Sequence, residues 1–346
     1  MTGEKIKTLK QVHELKIDKD RKLFSANHEE IINGVTTDVY FVKTFEILKE
    51  LGKENVQVVA EIFARKSGIF CGLPEVLNLL EDTGVEVWSL KEGEAFKEKE
   101  VVMRIKGSYG EFGIYETAIL GILASSCGWA TAAREVKEAA GDASVLVFGA
   151  RHVHPAVAPV MERAAIVGGM DGASCILGAK LAGLEPKGTV PHAIFLIVGD
   201  TVEVALAYDK IMPSGEARLV LVDTFKDEAE ETLRVAGALQ DRLQGIRLDT
   251  PSERGGVTPA LVQEIRARLD LAGFKHVKIF VSGGIDVEKI KILKDAGADA
   301  FGVGSFISRA CPIDMTMDIK EVAGKPVAKR GRIPGIIENH RLVKQK

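Results

Sequence analysis

The sequence predicts an α/β protein: an irregular, TIM-like α/β barrel preceded by a separate α+β domain. From Ser144 onward a short β-branched run, then a Gly, Asp or His, then an amphipathic helix recur in turn, which is the βα unit. Before Ser144 helical and strand-like stretches alternate without that repeat. A length of 346 residues gives both parts enough chain to bury a core. The reading places the N-terminal domain at 1–140 and the barrel at 141–320. A basic, Gly/Pro-containing tail at 321–346 is expected to pack back on the N-terminal domain.

In the N-terminal part, Val39 to Leu51 reads as a helix, Gln57 to Phe63 as a strand and Pro74 to Glu81 as a helix. Val85 to Ile105 reads as strands joined by a Glu92-Gly93 turn, and the small-residue-rich stretch Tyr115 to Glu135 as a helix. The barrel strands are expected at Val145 to Phe148, Lys187 to Val190, Arg218 to Val222, Gly245 to Leu248, Val277 to Val281 and Ala300 to Val303, with weaker candidates near Met170 and Met315. Runs that are apolar throughout, such as Leu219 to Val222, suit parallel strands covered by helices. Thr258 and Pro259 open one covering helix and Gly273 ends it; Asp286 opens the next and Gly297 closes it.

Composition excludes several classes. A formal net charge of -3, spread over a chain with 27% charged residues, leaves no basic footprint for nucleic acid. The first two dozen residues alternate charges with single apolar residues and hold no signal-peptide core, so a cytoplasmic protein is expected. The longest uncharged stretch, Thr117 to Ala133, is short for a bilayer span of ~20 residues and is interrupted by Gly121 and Gly128. It reads as a buried helix, and no membrane partner is expected. The four cysteines, Cys71, Cys127, Cys175 and Cys311, are far apart and read as buried small hydrophobes, with no structural zinc site.

Residues that do chemistry in an α/β barrel sit where strands end, because the loops there converge on one mouth. Those positions hold Arg151, His152 and His154, then His192, Asp223, Asp249, Ser282-Gly283-Gly284, and Gly302 with Gly304. In Val281-Ser282-Gly283-Gly284-Ile285-Asp286 and Phe301-Gly302-Val303-Gly304-Ser305, glycines let backbone N–H groups approach an anion ahead of a helix N-terminus. Such turns fit a phosphate group, and tight βα turns are the bland alternative. Asp223 and Asp249 each follow an apolar strand, where they could share a Mg²⁺ with substrate phosphates or simply cap the next helix.

Six segments in order resemble the nicotinate phosphoribosyltransferases: Thr37-Asp38-Val39-Tyr40-Phe41, Phe148-Gly149-Ala150-Arg151, Gly188-Thr189-Val190-Pro191-His192-Ala193, Val222-Asp223-Thr224-Phe225, Arg247-Leu248-Asp249 and Phe301-Gly302-Val303-Gly304-Ser305. The resemblance runs from about Thr36 to Ser308. Gly121 to Ser126 followed by Gly128-Trp129-Ala130-Thr131 is similar to the helix before the barrel in the wider type II phosphoribosyltransferases. It implies an N-terminal α+β sandwich, a homodimer or higher homo-oligomer with shared active sites, nicotinate and phosphoribosyl pyrophosphate as substrates, ATP as co-substrate and Mg²⁺.

Carried over residue by residue, the resemblance has Tyr40, from a neighbouring subunit, and Phe148 flank the pyridine ring, with Arg151 at the nicotinate carboxylate and Ser174 near the base. Arg247, Thr189, Ser282, Gly283, Gly284, Gly302, Gly304 and Ser305 would hold the phosphoribosyl pyrophosphate. Asp223 and Asp249 would hold ribose hydroxyls and Mg²⁺, and His192 would take a phosphoryl group from ATP. One departure stands out: many relatives carry a second arginine after Arg151, where this chain has His152. Quinolinate and nicotinamide phosphoribosyltransferases are the alternatives within the fold. A barrel that binds a phosphorylated metabolite without turning it over is the alternative of another class.

Overall fold

Two six-stranded sheets, one antiparallel and one parallel, organise the chain in the computed structural model, which describes residues 5–18 and 20–346. Of the charge-alternating first two dozen residues, 1–4 and 19 lie outside that set. The chain divides into a unit formed by Met1–Ala130 with Cys311–Lys346 and a second formed by Thr131–Ala310.

In the first unit the strands lie in the order Lys325–Pro326, Met315–Val322, Gln57–Ala64, Val101–Ser108, Glu86–Ser89, Val343–Lys344. Every pairing is antiparallel. Gln57–Ala64 is central and buried at every position after Gln57. Expected elements appear with shifted ends: helices at Val39–Glu50, Leu73–Leu79 and Glu116–Ala140, and Gly93 in the left-handed turn between strands. Thr117 to Ala133 lies within Glu116–Ala140, whose Ile119, Leu123 and Cys127 recur every four residues and are fully buried. Among the described residues no helix is long and apolar enough to cross a membrane.

The weak strand candidate near Met315 is a strand, but it pairs antiparallel with Gln57–Ala64 in this unit and is no part of the parallel sheet. Its burial follows one face only in part, unlike the continuous burial of a parallel strand. The chain after Pro326 returns to the same unit, where Val343–Lys344 adds to Glu86–Ser89. Glu61, only 1% exposed, accepts from Arg104 Nε (2.9 Å) and Nη2 (2.7 Å) and from the Ile337 backbone N–H, which ties that return to the central strand.

The second unit carries a curled parallel half-barrel sheet in the order Gly172–Ala173, Ser144–Val147, Ala300–Val303, Lys278–Val281, Gly245–Leu248, Leu219–Leu221. The strand expected at Lys187 to Val190 does not form; those residues are coil. Pro186 and Pro191 lack backbone donors and Gly188 disfavours extended order, so only a single rung survives, from Lys187 N–H to the Ala173 carbonyl (2.9 Å). The helix starts follow the sequence: Thr258 accepts from Leu261 N–H and Asp286 from Lys289 N–H. Cys71 and Cys127 are buried, whereas Cys175 is partly exposed and Cys311 exposed, against the expectation of four buried thiols. Cys311 lies in coil next to Pro312, where no element covers it.

Removing one partner of a buried pair leaves the other charge uncompensated, at a cost of about 3–5 kcal/mol. Glu61→Ala should therefore lower the urea midpoint of the protein and expose the 330–346 segment to limited proteolysis, while Glu61→Asp retains part of the protection. Unchanged cleavage in Glu61→Ala would show that this carboxylate does not anchor the segment.

Candidate active site

A cleft of about 430 Å³ opens beyond the C-terminal ends of the parallel strands. Its lining comes from residues that follow those strands: Phe148, Arg151 and His152 after Ser144–Val147, Ser174 after Gly172–Ala173, Asp249 after Gly245–Leu248, Ser282, Gly283 and Gly284 after Lys278–Val281, and Gly304 with Ser305 after Ala300–Val303. Parallel strands all point their carboxyl ends the same way, so five short loops deliver their side chains to one place.

Arg247 reaches the cleft from within its own strand. It donates from Nε to Ser282 Oγ (2.8 Å), from Nη1 to Thr189 Oγ1 (2.8 Å) and from Nη2 to Asp249 Oδ2 (3.2 Å). Its guanidinium lies 5.2 Å from the centre of the Phe148 ring, which stacks in turn on Phe280 at 5.9 Å. Ser282 Oγ donates to Asp249 Oδ1 (3.0 Å), closing a ring of polar contacts. Burial pushes the Arg247 guanidinium below its usual value, against the pull of Asp249 and Asp223.

His192 opens the helix His192–Val198, directly after Pro191. Its Nε2 lies 3.0 Å from Asp223 Oδ2; the Asp223 side chain is 1% exposed and the imidazole 37%. Burial pushes the Asp223 carboxyl above the ordinary range, the contact with His192 pulls it down, and the charge of Asp249 pushes it up again. Asp223 Oδ1 is buried without a hydrogen-bond partner. Neither aspartate is a helix cap: Asp227 caps Glu228–Leu239 and Thr258 caps Pro259–Leu271. The capping alternative for Asp223 and Asp249 therefore falls away.

Arg151 lines the cleft, is exposed, and its guanidinium has no ion pair or hydrogen bond among the described residues. Its neighbour His152 is held below the usual imidazole value by burial, with Arg151 and Arg309 acting the same way. The glycine turns are sterically required. Gly283 has φ +87°, and a side chain there would meet Asp249 Oδ1 at 2.7 Å. A Cβ at Gly302 would stand 2.6 Å from the Phe148 ring.

Of the residues singled out from sequence, the cleft gathers Phe148, Arg151, Ser174, Thr189, His192, Arg247, Asp249, Ser282, Gly283, Gly284, Gly302, Gly304 and Ser305. Asp223 stands behind His192. Tyr40 belongs to the first unit, on the helix Val39–Glu50, with 55% of its surface exposed, and is not part of this lining. Sequence reasoning missed Glu162, fully buried on the helix Ala158–Gly168. The available signal was an acid on the apolar stripe of Ala158 and Ala165, where a carboxylate needs buried partners.

Fold and cleft define a class: an α/β protein with glycine turns, a carboxylate, an imidazole backed by a second, buried carboxylate, and a free guanidinium at one cleft. The description of the quinolinate phosphoribosyl transferase N-terminal domain matches residues 38–127, and that of the C-terminal domain matches residues 129–318. The chain belongs to the quinolinate phosphoribosyltransferase family. It is 33% identical over 312 residues to a nicotinate phosphoribosyltransferase of Bacillus subtilis, covering 78% of this chain and 62% of that protein. To nicotinate phosphoribosyltransferase pncB1 of Mycobacterium tuberculosis it is 29% identical over 248 residues, covering 69% and 54%. The chain thus spans less than two thirds of the length of these relatives.

Among solved structures, a nicotinate-nucleotide pyrophosphorylase from Pyrococcus furiosus superimposes with a TM-score of 0.87 at 45% identity, covering 91% of this chain and 82% of that one. Human nicotinic acid phosphoribosyltransferase shares the fold, with a TM-score of 0.67 at 18% identity over 87% of this chain and 77% of its own.

Overpacking a filled site typically costs 1–3 kcal/mol. Gly302→Ala should lower stability by about that amount, because both the Phe148 and the Phe280 rings crowd the new methyl (2.6 and 3.0 Å). Equilibrium urea unfolding measures it; a neutral variant would mean that Phe148 moves freely and is no fixed wall of the cleft.

Proposed function

We propose that the chain is a nicotinate phosphoribosyltransferase, joining nicotinate to the ribose-phosphate of phosphoribosyl pyrophosphate, with release of pyrophosphate, in NAD biosynthesis in the cytoplasm. The observation that carries this reading is the set of groups gathered in the cleft: the Phe148 ring and the uncommitted Arg151 guanidinium, together with the Asp249 carboxylate, the His192 imidazole backed by Asp223, and the glycine turns. A planar aromatic anion with a single carboxylate suits the first two, and a phosphorylated sugar the others. Quinolinate carries two carboxylates and would call for a further cation, yet Arg247 is already committed to Asp249 and His152 is held toward its neutral form.

The reaction is displacement at the anomeric carbon. The pyridine nitrogen attacks as pyrophosphate leaves, and positive charge builds on the ribose, where Asp249 and Asp223 stabilise it. Magnesium fits these carboxylates: Asp223 Oδ1 is a buried oxygen without a partner, and Asp249 stands beside the turn at Gly283. Among the described residues no three His, Cys, Asp or Glu side chains cluster to hold a metal alone, so the cation would arrive with the substrate's phosphates. Bound there, it would neutralise the leaving pyrophosphate.

His192 is the proposed phosphoryl acceptor from ATP. Asp223 at Nε2 keeps the proton on that nitrogen and leaves Nδ1 as the nucleophile: Nδ1 attacks the γ-phosphorus, the bond to ADP breaks, and a phosphohistidine results. The subunits are proposed to associate, with Tyr40 of a neighbour completing the base site. Exposed apolar side chains, Ile47 and Leu51 on the first unit and, separately, Leu196 and Ile197 on the second, support association.

With phosphoribosyl pyrophosphate as donor, nicotinate should be turned over and nicotinamide and quinolinate not; preferential use of quinolinate would replace the reading with the other activity of the fold. Arg151→Ala should raise the half-saturating nicotinate concentration tenfold or more, since a charge-assisted contact contributes about 1.5–3 kcal/mol, with a much smaller effect on the donor. Equal effects on both substrates would assign Arg151 to the phosphates. Incubation with labelled ATP should give an acid-labile, base-stable phosphoprotein, and His192→Asn should lose the label while retaining slow, ATP-independent synthesis. An unlabelled wild type with a reaction indifferent to ATP would discard the coupling and leave the transfer.

A further inference from the structure

Glu162 is fully buried, yet its carboxylate meets four donors from two different loops. Oε1 accepts from the Gly149 N–H (3.1 Å), the Ala150 N–H (3.1 Å) and Ser174 Oγ (3.2 Å), and Oε2 accepts from the Cys175 N–H (2.6 Å). Gly149 and Ala150 immediately precede Arg151, and Ser174 lines the same cleft from the neighbouring strand. All four partners are neutral dipoles. Burial pushes the carboxyl above its ordinary range while these four contacts pull it down.

From this geometry we infer that Glu162 is a positioning residue for the pyridine base: one carboxylate clamps the loop that carries Arg151 to the loop that carries Ser174 and so fixes the width of the cleft at the base. Its donors do not include the glycine turns: Gly283 and Gly284 follow the strand Lys278–Val281, while Gly304 packs on the Phe148-Gly149 backbone and on His152 without bonding the carboxylate. Arg151 sits in the single 3₁₀ turn Ala150–His152, closed by one backbone bond from His152 N–H to the Gly149 carbonyl (3.0 Å), so without the clamp it would sample more positions and its contact with a carboxylate would lose strength. A glutamine cannot replace it. The amide offers one acceptor oxygen where the carboxylate offers two, and its NH₂ would face N–H donors.

The inference rests on the nicotinate reading for the identity of the base, but the clamp itself has a readout without catalysis. Hydrogen exchange followed by mass spectrometry should show the Gly149, Ala150 and Cys175 amides exchanging at least tenfold faster in Glu162→Gln, with the 283–284 segment unchanged. In the folded variant the half-saturating nicotinate concentration should rise at least tenfold, that of phosphoribosyl pyrophosphate less than twofold, and Glu162→Asp, which reaches only one loop, should fall between. Should the wild type turn over no nicotinate, the reading of the substrate fails and the exchange pattern still decides the clamp. Faster exchange throughout the 131–310 unit, equal changes for both substrates, an unchanged nicotinate dependence beside an active wild type, or loss of folded protein in both variants would overturn it, because each shows a residue that serves the fold and not the base loops.

Discussion

Arg247 occupies a position from which one planar, five-donor fork reaches Thr189, Ser282 and Asp249 while its face covers Phe148. The rest of the cleft takes its shape from this contact set. Thr189 belongs to a coil with only one backbone rung to the sheet, and Arg247 supplies its further anchor. Asp249 is oriented by Arg247 on one oxygen and by Ser282 on the other, leaving its remaining lone pairs free. A lysine would reach one of these partners at a time, so the constraint is planar geometry as much as charge.

The same economy governs the second polar centre. Asp223 holds His192 with one oxygen and keeps the other buried and unpaired, which costs free energy. Such a cost persists where a ligand or cation repays it, and the orphan oxygen lies beside the imidazole with Asp249's charge felt across the cleft. Glu162 is the contrasting case: equally buried, but saturated by four donors, and so suited to holding loops in place and not to meeting a ligand.

Family membership and site geometry carry different information. Shared ancestry covers residues 38–127 and 129–318 and accounts for the fold and the glycine turns. The proposed choice of base rests on a few side chains of the cleft: a free Arg151, a His152 displaced toward neutrality, and a Ser174 already donating to Glu162. A fold can host several bases, and these side chains are where the alternatives differ.

Much of this protein was legible in the residues alone. Periodicity located the strands at 144–147, 245–248, 278–281 and 300–303, and Thr258 and Asp286 marked their helix starts, because these signals are local and each depends on a few neighbouring positions. Thirteen of the residues singled out by the strand-end rule and by the resemblance line one cleft, since parallel strands share a direction. Local pattern failed at Lys187 to Val190, where flanking prolines outweighed β-branched propensity, and at Met315, where the partner strand, chosen by long-range pairing, placed the run in the other sheet. Only the tertiary structure decided that Asp223 and Asp249 cap nothing, that Arg247 is committed while Arg151 is free, and that Glu162 joins two loops. The contacts that decide these points mostly join residues distant in sequence, such as Arg247 with Thr189 and Ser282, and the energy of a buried charge depends on which donors surround it, a quantity no single segment of the chain contains.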